Sequence, residues 1–265
     1  MGKFLFARVF RVEAPPDRGH FGNANVEKPP LKPLSLTIFF PCHNEEDNVE
    51  RVTRQALEVG RNVADDLEVI IVNDGSSDHT GQIADRLAAE IPEVRAAHNH
   101  PNLGYGGALR RGFREATKNW IFYTDGDGQF DLEELPRVLP LLEQYDVVSC
   151  YRFDRKDSFV RKLNALAWTV LVNLLFRLGL KDIDCAFKLY PKPFIDRIEM
   201  HSMGALIDTE MLAKARRMAL SIGQTGVHHY PRLAGEQSGA NIGVILRAFK
   251  ELFKLRRHIK QHGTG

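Results

Sequence analysis

Cysteine is scarce in this chain. Its 265 residues hold three, Cys42, Cys150 and Cys185, and no two form a Cys-x-x-Cys pair. An odd number of widely spaced thiols excludes a disulfide framework and a thiolate zinc site, and it fits a reducing compartment. Long hydrophobic runs are also missing. The longest, LNALAWTVLVNLLF from Leu163 to Phe176, has 14 residues and is interrupted by Asn164, Thr169 and Asn173. A bilayer crossing takes about 20, so this window reads as a buried or interfacial helix. The amino-terminal MGKFLFARVFRVEAPP is broken by Arg8 and Arg11 and has no small-residue cleavage site, which excludes a secretory signal. The net charge is only +2, so no global field points to nucleic acid. There is no Walker loop, no G-x-G-x-x-G after a strand and no internal repeat.

What is present is an alternation. Residues 1–34, rich in Pro, Gly, Asn and charge, read as a flexible extension. From residue 35 on, β-rich apolar runs at 36–40, 67–73, 94–99, 120–124 and 145–150 are separated by helical patterns at 45–60, 80–91, 106–117 and 132–144. Continuous apolar strands joined through helices predict an α/β fold with right-handed βαβ units and a mostly parallel sheet. Ligands in such sheets bind beyond the carboxyl ends of the strands. After residue 150 the alternation stops. A long helix is expected at about 160–178, another near 206–219, and a β-rich run at 221–231. This half reads as a covering layer that completes a site.

Polar chemistry collects where the strands end. PCHNEEDNV follows the first run, with Glu45, Glu46 and Asp47 opening a helix, where acids also suit the helix dipole. IIVNDGSSDHTG follows the second, with Asp74 at the strand end and Asp78 as a candidate cap. NLGYGGALRRG places Gly104, Gly106 and Gly107 before a helix, which permits close backbone approach to a ligand. YTDGDGQFD follows the fourth run and puts Asp125, Asp127, Gln129 and Asp131 within seven residues. Neighbouring carboxylates repel one another unless a cation neutralises them. Oxygen ligands without His or Cys point to a hard divalent ion, Mg²⁺ or Mn²⁺, whose shell is completed by substrate phosphates.

The ordered series FFPCHNEEDNV, IIVNDGSSDHT, NLGYGGALRRGF, YTDGDGQFDLEELP and DCAFKLYP resembles the inverting family-2 glycosyltransferases of GT-A fold. It is most similar to the dolichol-phosphate mannose and glucose synthases and their polyprenyl-phosphate relatives. The resemblance covers roughly residues 36–235. It implies a GT-A domain over 35–235 and a hexose transferred from a nucleoside diphosphate sugar, GDP-mannose or UDP-glucose, to a polyprenyl or dolichyl phosphate. By position it implies donor contacts at Pro41, His43, Glu45, Asn73, Asp74, Gly126 and Arg232. His43 stands where that family often has tyrosine. The metal ligands would be Asp125, Asp127 and Gln129, and the catalytic set Asp125, Asp127 and Arg152. Arg161 and Lys188 would meet the acceptor phosphate.

The chemistry explains the need for these groups. Negative charge grows on the departing diphosphate, where a divalent ion and arginines stabilise it. A phosphate acceptor is largely a dianion at neutral pH and requires cations to place it, from among Arg152, Arg155, Lys156, Arg161 and Lys162. A sugar-hydroxyl acceptor, the alternative, requires a general base, for which Asp131 is the candidate. A nucleotidyltransferase would carry a glycine-rich loop with Arg and Lys where this chain reads PCHNEE, and a non-catalytic nucleotide-sugar subunit would have no use for the acidic residues.

The tail 236–265 completes the reading. Residues 242–260 set Ile242, Ile245, Leu246, Phe249, Leu252 and Phe253 at helical spacing, with six cations against Glu251 alone, a local excess of +5. Such a helix either lies in the headgroup plane of an anionic membrane or packs on its own domain. The expected location is therefore peripheral, at the cytoplasmic face of a membrane, with a membrane partner subunit or a homo-oligomer as further means of attachment.

Overall fold

The computed structural model describes residues 26–153, 159–232 and 251–259, with backbone alone over 159–165. Nine strands are present among them: β1 (Ser35–Cys42), β2 (Asp66–Asp74), β3 (Val94–Asn99), β4 (Trp120–Thr124), β5 (Val147–Ser149), β6 (Tyr151–Arg152), β7 (Phe187–Pro191), β8 (Ile222–Gly223) and β9 (Gly226–Val227). The helices are α1 (Val49–Val63), α2 (Thr80–Glu90), α3 (Gly104–Glu115), α4 (Leu135–Val138), α5 (Phe159–Phe176), α6 (Lys192–Ile195) and α7 (Leu206–Arg217). Residues 251–259 are helical as well.

Seven strands form one sheet in the order β3-β2-β1-β4-β7-β5-β8. Its β1–β2, β1–β4, β2–β3 and β5–β8 pairs are parallel, and only β7 runs against its neighbours β4 and β5. Every residue of β4 and β7 is buried, as strands covered on both faces must be. The chain winds outward from β1 to β3, then returns to place β4 on the other side of β1. That reversal opens a crevice beyond the carboxyl ends of β1 and β4. Because β7 is antiparallel, Phe187 at its start pairs with Thr124 at the end of β4. The loop leading into β7 therefore reaches the same edge as the acidic loop. A parallel pair, β6 with β9, and an antiparallel bridge between Phe130 and His229 close over that edge.

An aromatic cluster anchors the core. Phe39 of β1 meets Phe113 of α3 edge-on at 4.9 Å and stacks on Tyr123 of β4 at 5.7 Å. Helix α3 lies close enough for this because position 112 has no side chain. A Cβ there would come within 2.2 Å of the Phe39 ring.

Three local expectations change. The segment 132–144 is a 3₁₀ turn, the short α4 and a second 3₁₀ turn rather than one helix. Pro136 and Pro140 lack the N–H that a continuous helix would use. DCAFKLYP contains a full sheet strand, β7. The ordered packing also begins before residue 35. Val26 and Leu31 pack on the core, Trp120 Nε1 donates to the Pro30 carbonyl at 3.1 Å, and Leu34 N donates to Asp65 at 2.7 Å. Residues 1–25, and the expected helix start near 240, lie outside the described residues.

Gly112→Ala tests the β1–α3 contact. Helix propensity alone would favour alanine by about 1 kcal/mol, but overpacking against Phe39 costs about 1–3 kcal/mol. Urea unfolding is expected to show a net loss of stability, and Phe39→Leu in the same chain is expected to relieve it.

Candidate active site

The crevice is built from the loops after β1, β2 and β4. The first two are laced together. Asn44, in the left-handed region at φ 56, donates its backbone N–H to Ser76 Oγ at 3.0 Å and accepts from Ser77 N at 2.9 Å. Asp78 accepts from Thr80 N at the start of α2 at 2.9 Å, the capping expected of it, and Glu45 N donates to Thr80 Oγ1 at 2.8 Å. At the end of β4, a Cβ on Gly126 would fall 2.5 Å from the Pro41 carbonyl oxygen. Only glycine lets the acidic loop lie against the exit of β1.

Of the expected donor residues, Pro41, His43, Glu45, Asn73, Asp74, Gly126 and Arg232 all gather at this edge. Several also hold the loops in place. Asp74 is buried, and its Oδ1 accepts from Asn99 Nδ2 at 2.8 Å and from Leu103 N at 3.0 Å, which positions the start of α3. Asn73 Oδ1 accepts from Ser76 N at 3.2 Å. His43 Nδ1 lies 3.0 Å from the Asp74 carbonyl. The Glu45 carboxylate accepts from Asn48 Nδ2 at 2.8 Å and forms an ion pair with Arg232, 187 residues away in sequence.

In the acidic loop, Asp125 accepts from the Tyr105 hydroxyl at 3.2 Å and Asp127 accepts from Gln129 N at 3.0 Å. Gln129 Nε2 donates to the Tyr230 carbonyl at 2.8 Å, so its amide also fixes the loop before Arg232. Burial, with the charges of Asp127 and Asp208 nearby, pushes the Asp125 carboxyl from 3.8 up to about 7. Burial raises Asp127 too, against the hydrogen bond from Gln129 and the charge of Arg232. Asp131 accepts from Glu133 N at 3.1 Å and so caps a 3₁₀ turn.

The basic residues divide. Burial disfavours the Arg152 charge, but a two-pronged pair with Asp182, at 2.8 Å from Nε and 2.9 Å from Nη2, outweighs it and raises its pKa. Lys188 is brought to the edge by β7 but points inside. It is fully buried, and Nζ donates to Asp208 at 2.7 Å, to the Tyr123 hydroxyl at 3.0 Å and to the Cys185 carbonyl. All three of its donors are committed, so the structure places it behind the site and away from any acceptor phosphate. The side chains of Arg161 and Lys162, and residues Arg155 and Lys156, lie outside the described residues.

The sequence reading missed four side chains. Tyr105 touches Asp125. Arg51 lies against Gly128 and donates to Asn48 Oδ1 at 3.2 Å. Asp208 balances Lys188. Asp184 carries a buried Oδ1 without a hydrogen-bond partner among the described residues, and burial, with Asp208 and Asp182 nearby, pushes its carboxyl up to about 7. The Asp-x-Asp spacing of Asp182 and Asp184, which repeats that of Asp125 and Asp127, was the available signal.

Among the described residues, no set of three or more His, Cys, Asp or Glu side chains is placed to hold a metal ion. Asp125 and Asp127 form a two-carboxylate oxygen donor set, which suits a hard divalent ion only if other ligands complete its shell.

Residues 37–198 match the family described as glycosyl transferase family 2. This chain belongs to that family. Glycosyltransferase AglD of Haloferax volcanii is 32% identical over 209 residues, covering 75% of this chain and 34% of that protein. The undecaprenyl-phosphate 4-deoxy-4-formamido-L-arabinose transferase of Proteus mirabilis is 27% identical over 185 residues, covering 69% of this chain and 57% of that protein. The chain thus spans about a third to just over half the length of these curated relatives. Among solved structures, mannosyl-3-phosphoglycerate synthase from Rubrobacter xylanophilus superposes with a TM-score of 0.67 at 17% identity, covering 87% of this chain and 75% of that one. Glucosyl-3-phosphoglycerate synthase from Mycobacterium tuberculosis, in complex with Mn²⁺, UDP-glucose and phosphoglyceric acid, superposes with a TM-score of 0.61 at 17% identity, covering 86% and 77%. The family-2 domain has the expected GT-A fold.

The raised carboxyls give this family-2 domain a pH signature. A carboxyl titrating near 7 in the fold and at 3.8 in the unfolded chain leaves the folded state holding more protons between those values. Stability of the metal-free protein therefore falls as pH rises through that window. Asp184→Asn removes one such group. Urea unfolding at about pH 5 and about pH 8 should show a smaller loss for this variant than for the unsubstituted protein.

Proposed function

We propose that this chain is a divalent-metal-dependent, inverting hexosyltransferase that moves a hexose from GDP-mannose or UDP-glucose to a polyprenyl phosphate at the cytoplasmic face of a membrane. The observation that carries this reading is the pair Asp125 and Asp127. Both are raised by burial and by nearby carboxylates, at the strand exit where the fold leaves a crevice. A Mg²⁺ or Mn²⁺ ion held by these carboxylates would offset charge growing on the leaving diphosphate. The residues of the chain supply the rest. Gln129 holds the loop in shape, Arg232 pairs with Glu45 and its charge acts on Asp127, and Arg152 adds positive potential near Asp125. Glu45, Asn73 and Asp74 border the space for the nucleoside. A single in-line displacement turns an α-linked donor into a β-linked product.

A lipid phosphate acceptor is supported by the name of the Proteus relative, which carries undecaprenyl phosphate, and by the surface of the chain. Helix α5 exposes Leu166, Val170 and Leu174, four residues apart on one side, and no charge occurs from Asn164 to Phe176. A helix face this apolar fits a lipid interface. A largely apolar cavity of about 640 Å³ lies between Trp168, Met203, Leu206 and Leu255. It adjoins the loop whose Met203 carbonyl accepts from Gly106 N at 2.9 Å, at the start of α3. No helix among the described residues is long and apolar enough to cross a membrane. Over 251–259 the tail shows the packing alternative for part of its apolar face, with Phe253 still exposed. Leu252, Leu255 and Ile259 are buried, while Lys254 and Arg257 stay exposed. Arg155, Lys156, Arg161 and Lys162, between β6 and the body of α5 in sequence, remain the candidate cations for the acceptor phosphate.

Two measurements test this. Radiolabelled sugar from GDP-mannose or UDP-glucose should pass into an organic extract when polyprenyl phosphate and Mn²⁺ are supplied, and Asp127→Ala should lower the rate by about 10²–10³-fold. Label that stays in the aqueous glycan fraction would move the acceptor to a sugar hydroxyl. Separately, Leu174→Glu should reduce co-sedimentation with phosphatidylserine-containing vesicles and leave the fold intact by circular dichroism.

A further inference from the structure

Beside the acidic loop lies a cavity of about 420 Å³ that the donor and metal assignments leave unused, lined by Asp131, Glu133, Glu134, Arg137, Phe153, His228 and Tyr230. Its position follows from strand alternation. Phe130 bridges His229, and their rings meet at 4.9 Å on the core side. The flanking residues Gln129, Asp131, His228 and Tyr230 therefore share the opposite face. Gln129 and Tyr230 are joined by two hydrogen bonds of 2.8 Å, from Tyr230 N to the Gln129 carbonyl and from Gln129 Nε2 to the Tyr230 carbonyl. Gln129 of the acidic loop is thus bonded directly to a residue that lines the cavity.

Its walls combine exposed rings with carboxylates. Phe153 is 53% and Tyr230 49% exposed. His228 sits between them, 4.3 Å from Phe153 edge-on and 6.0 Å from Tyr230 with rings nearly parallel. The His228 ring is fixed from below, since its Nδ1 and its backbone N–H both approach Glu134 Oε1 at 2.7 Å. Burial pushes Glu134 up, but these bonds and Arg137 outweigh it and keep the carboxylate ionised. Arg137 in turn donates to the Gly226 carbonyl at 2.8 Å and to Thr225 Oγ1 at 3.2 Å. Asp131 and Glu133 stand at the rim.

Three rings held in a row in water, beside fixed carboxylates, match one ligand chemistry. A pyranose offers an apolar face of C–H groups to aromatic rings and a belt of hydroxyls to carboxylates and guanidinium groups. We propose that Phe153, His228 and Tyr230, with Asp131 and Glu133, form a shelf that receives a pyranose ring. The ring belongs either to the hexose of the donor or, under the sugar-hydroxyl alternative, to the acceptor sugar. This inference rests on the proposed function for its place in catalysis, but not for its binding chemistry.

The test uses the full chain with Phe153→Ala and Tyr230→Ala, and Tyr230→Phe as the ring-preserving control. Calorimetry with Mn²⁺ compares GDP with GDP-mannose and UDP with UDP-glucose, and saturation-transfer NMR probes methyl mannoside and methyl glucoside. If the shelf holds the donor hexose, the alanine variants bind the sugar nucleotide about tenfold more weakly while the bare diphosphate binds unchanged, and Tyr230→Phe restores affinity. If it holds an acceptor sugar, the alanine variants lose the glycoside signal instead. An unchanged gain from the sugar moiety together with an unchanged or absent glycoside signal overturns the shelf. Failure of the unsubstituted protein to bind either diphosphate counts against the proposed function alone, and the glycoside arm then decides the shelf.

Discussion

Uncompensated negative charge at the carboxyl edge of the sheet is the constraint around which this molecule is arranged. Three cations at the edge are each matched to a carboxylate: Arg152 to Asp182, Lys188 to Asp208 and Arg232 to Glu45. Asp125, Asp127 and Asp184 form no salt bridge among the described residues, and all three carboxyls are raised. Two like charges about 6 Å apart repel by about 3 kcal/mol at an effective dielectric of about 20. Such an edge is more stable with protons or a cation bound than with neither.

The fold positions the imbalance with little freedom. The reversal of strand order at β1 opens the crevice, Gly126 presses the acidic loop onto Pro41, and antiparallel β7 carries the loop of Asp182 and Asp184 to the end of β4. The covering layer then ties itself to the same loop through Gln129 and Tyr230. The acidic loop, the loop of Asp182 and Asp184 and the covering layer thus all meet at one short stretch of β4 and its exit.

Much of this was legible in the sequence, for physical reasons. The runs at 36–40, 67–73, 94–99 and 120–124 are continuous in apolar character because both faces of their strands are covered. The carboxylates at 125 and 127 stand out because glycines flank them. Strand β7 was harder to read. A lysine near its start looks like a surface residue until Asp208 and Tyr123, distant in sequence, are seen to satisfy it. The role of Arg152 as partner of Asp182 also depends on contacts across 30 residues. The tail shows a different limit. Helical periodicity marks an apolar face but does not say whether lipid or protein covers it, and over 251–259 the cover is the domain itself. In 132–144 the hydrophobic pattern was right, and two prolines decided the geometry.

The most direct measurement is a Mn²⁺ titration followed by electron paramagnetic resonance and by proton release at about pH 6. The account predicts that Mn²⁺ binds with loss of protons, that a nucleoside diphosphate tightens it, and that changing both Asp125 and Asp127 to alanine abolishes binding. Equal Mn²⁺ affinity in the unsubstituted protein and the double variant, with or without the diphosphate, would contradict it.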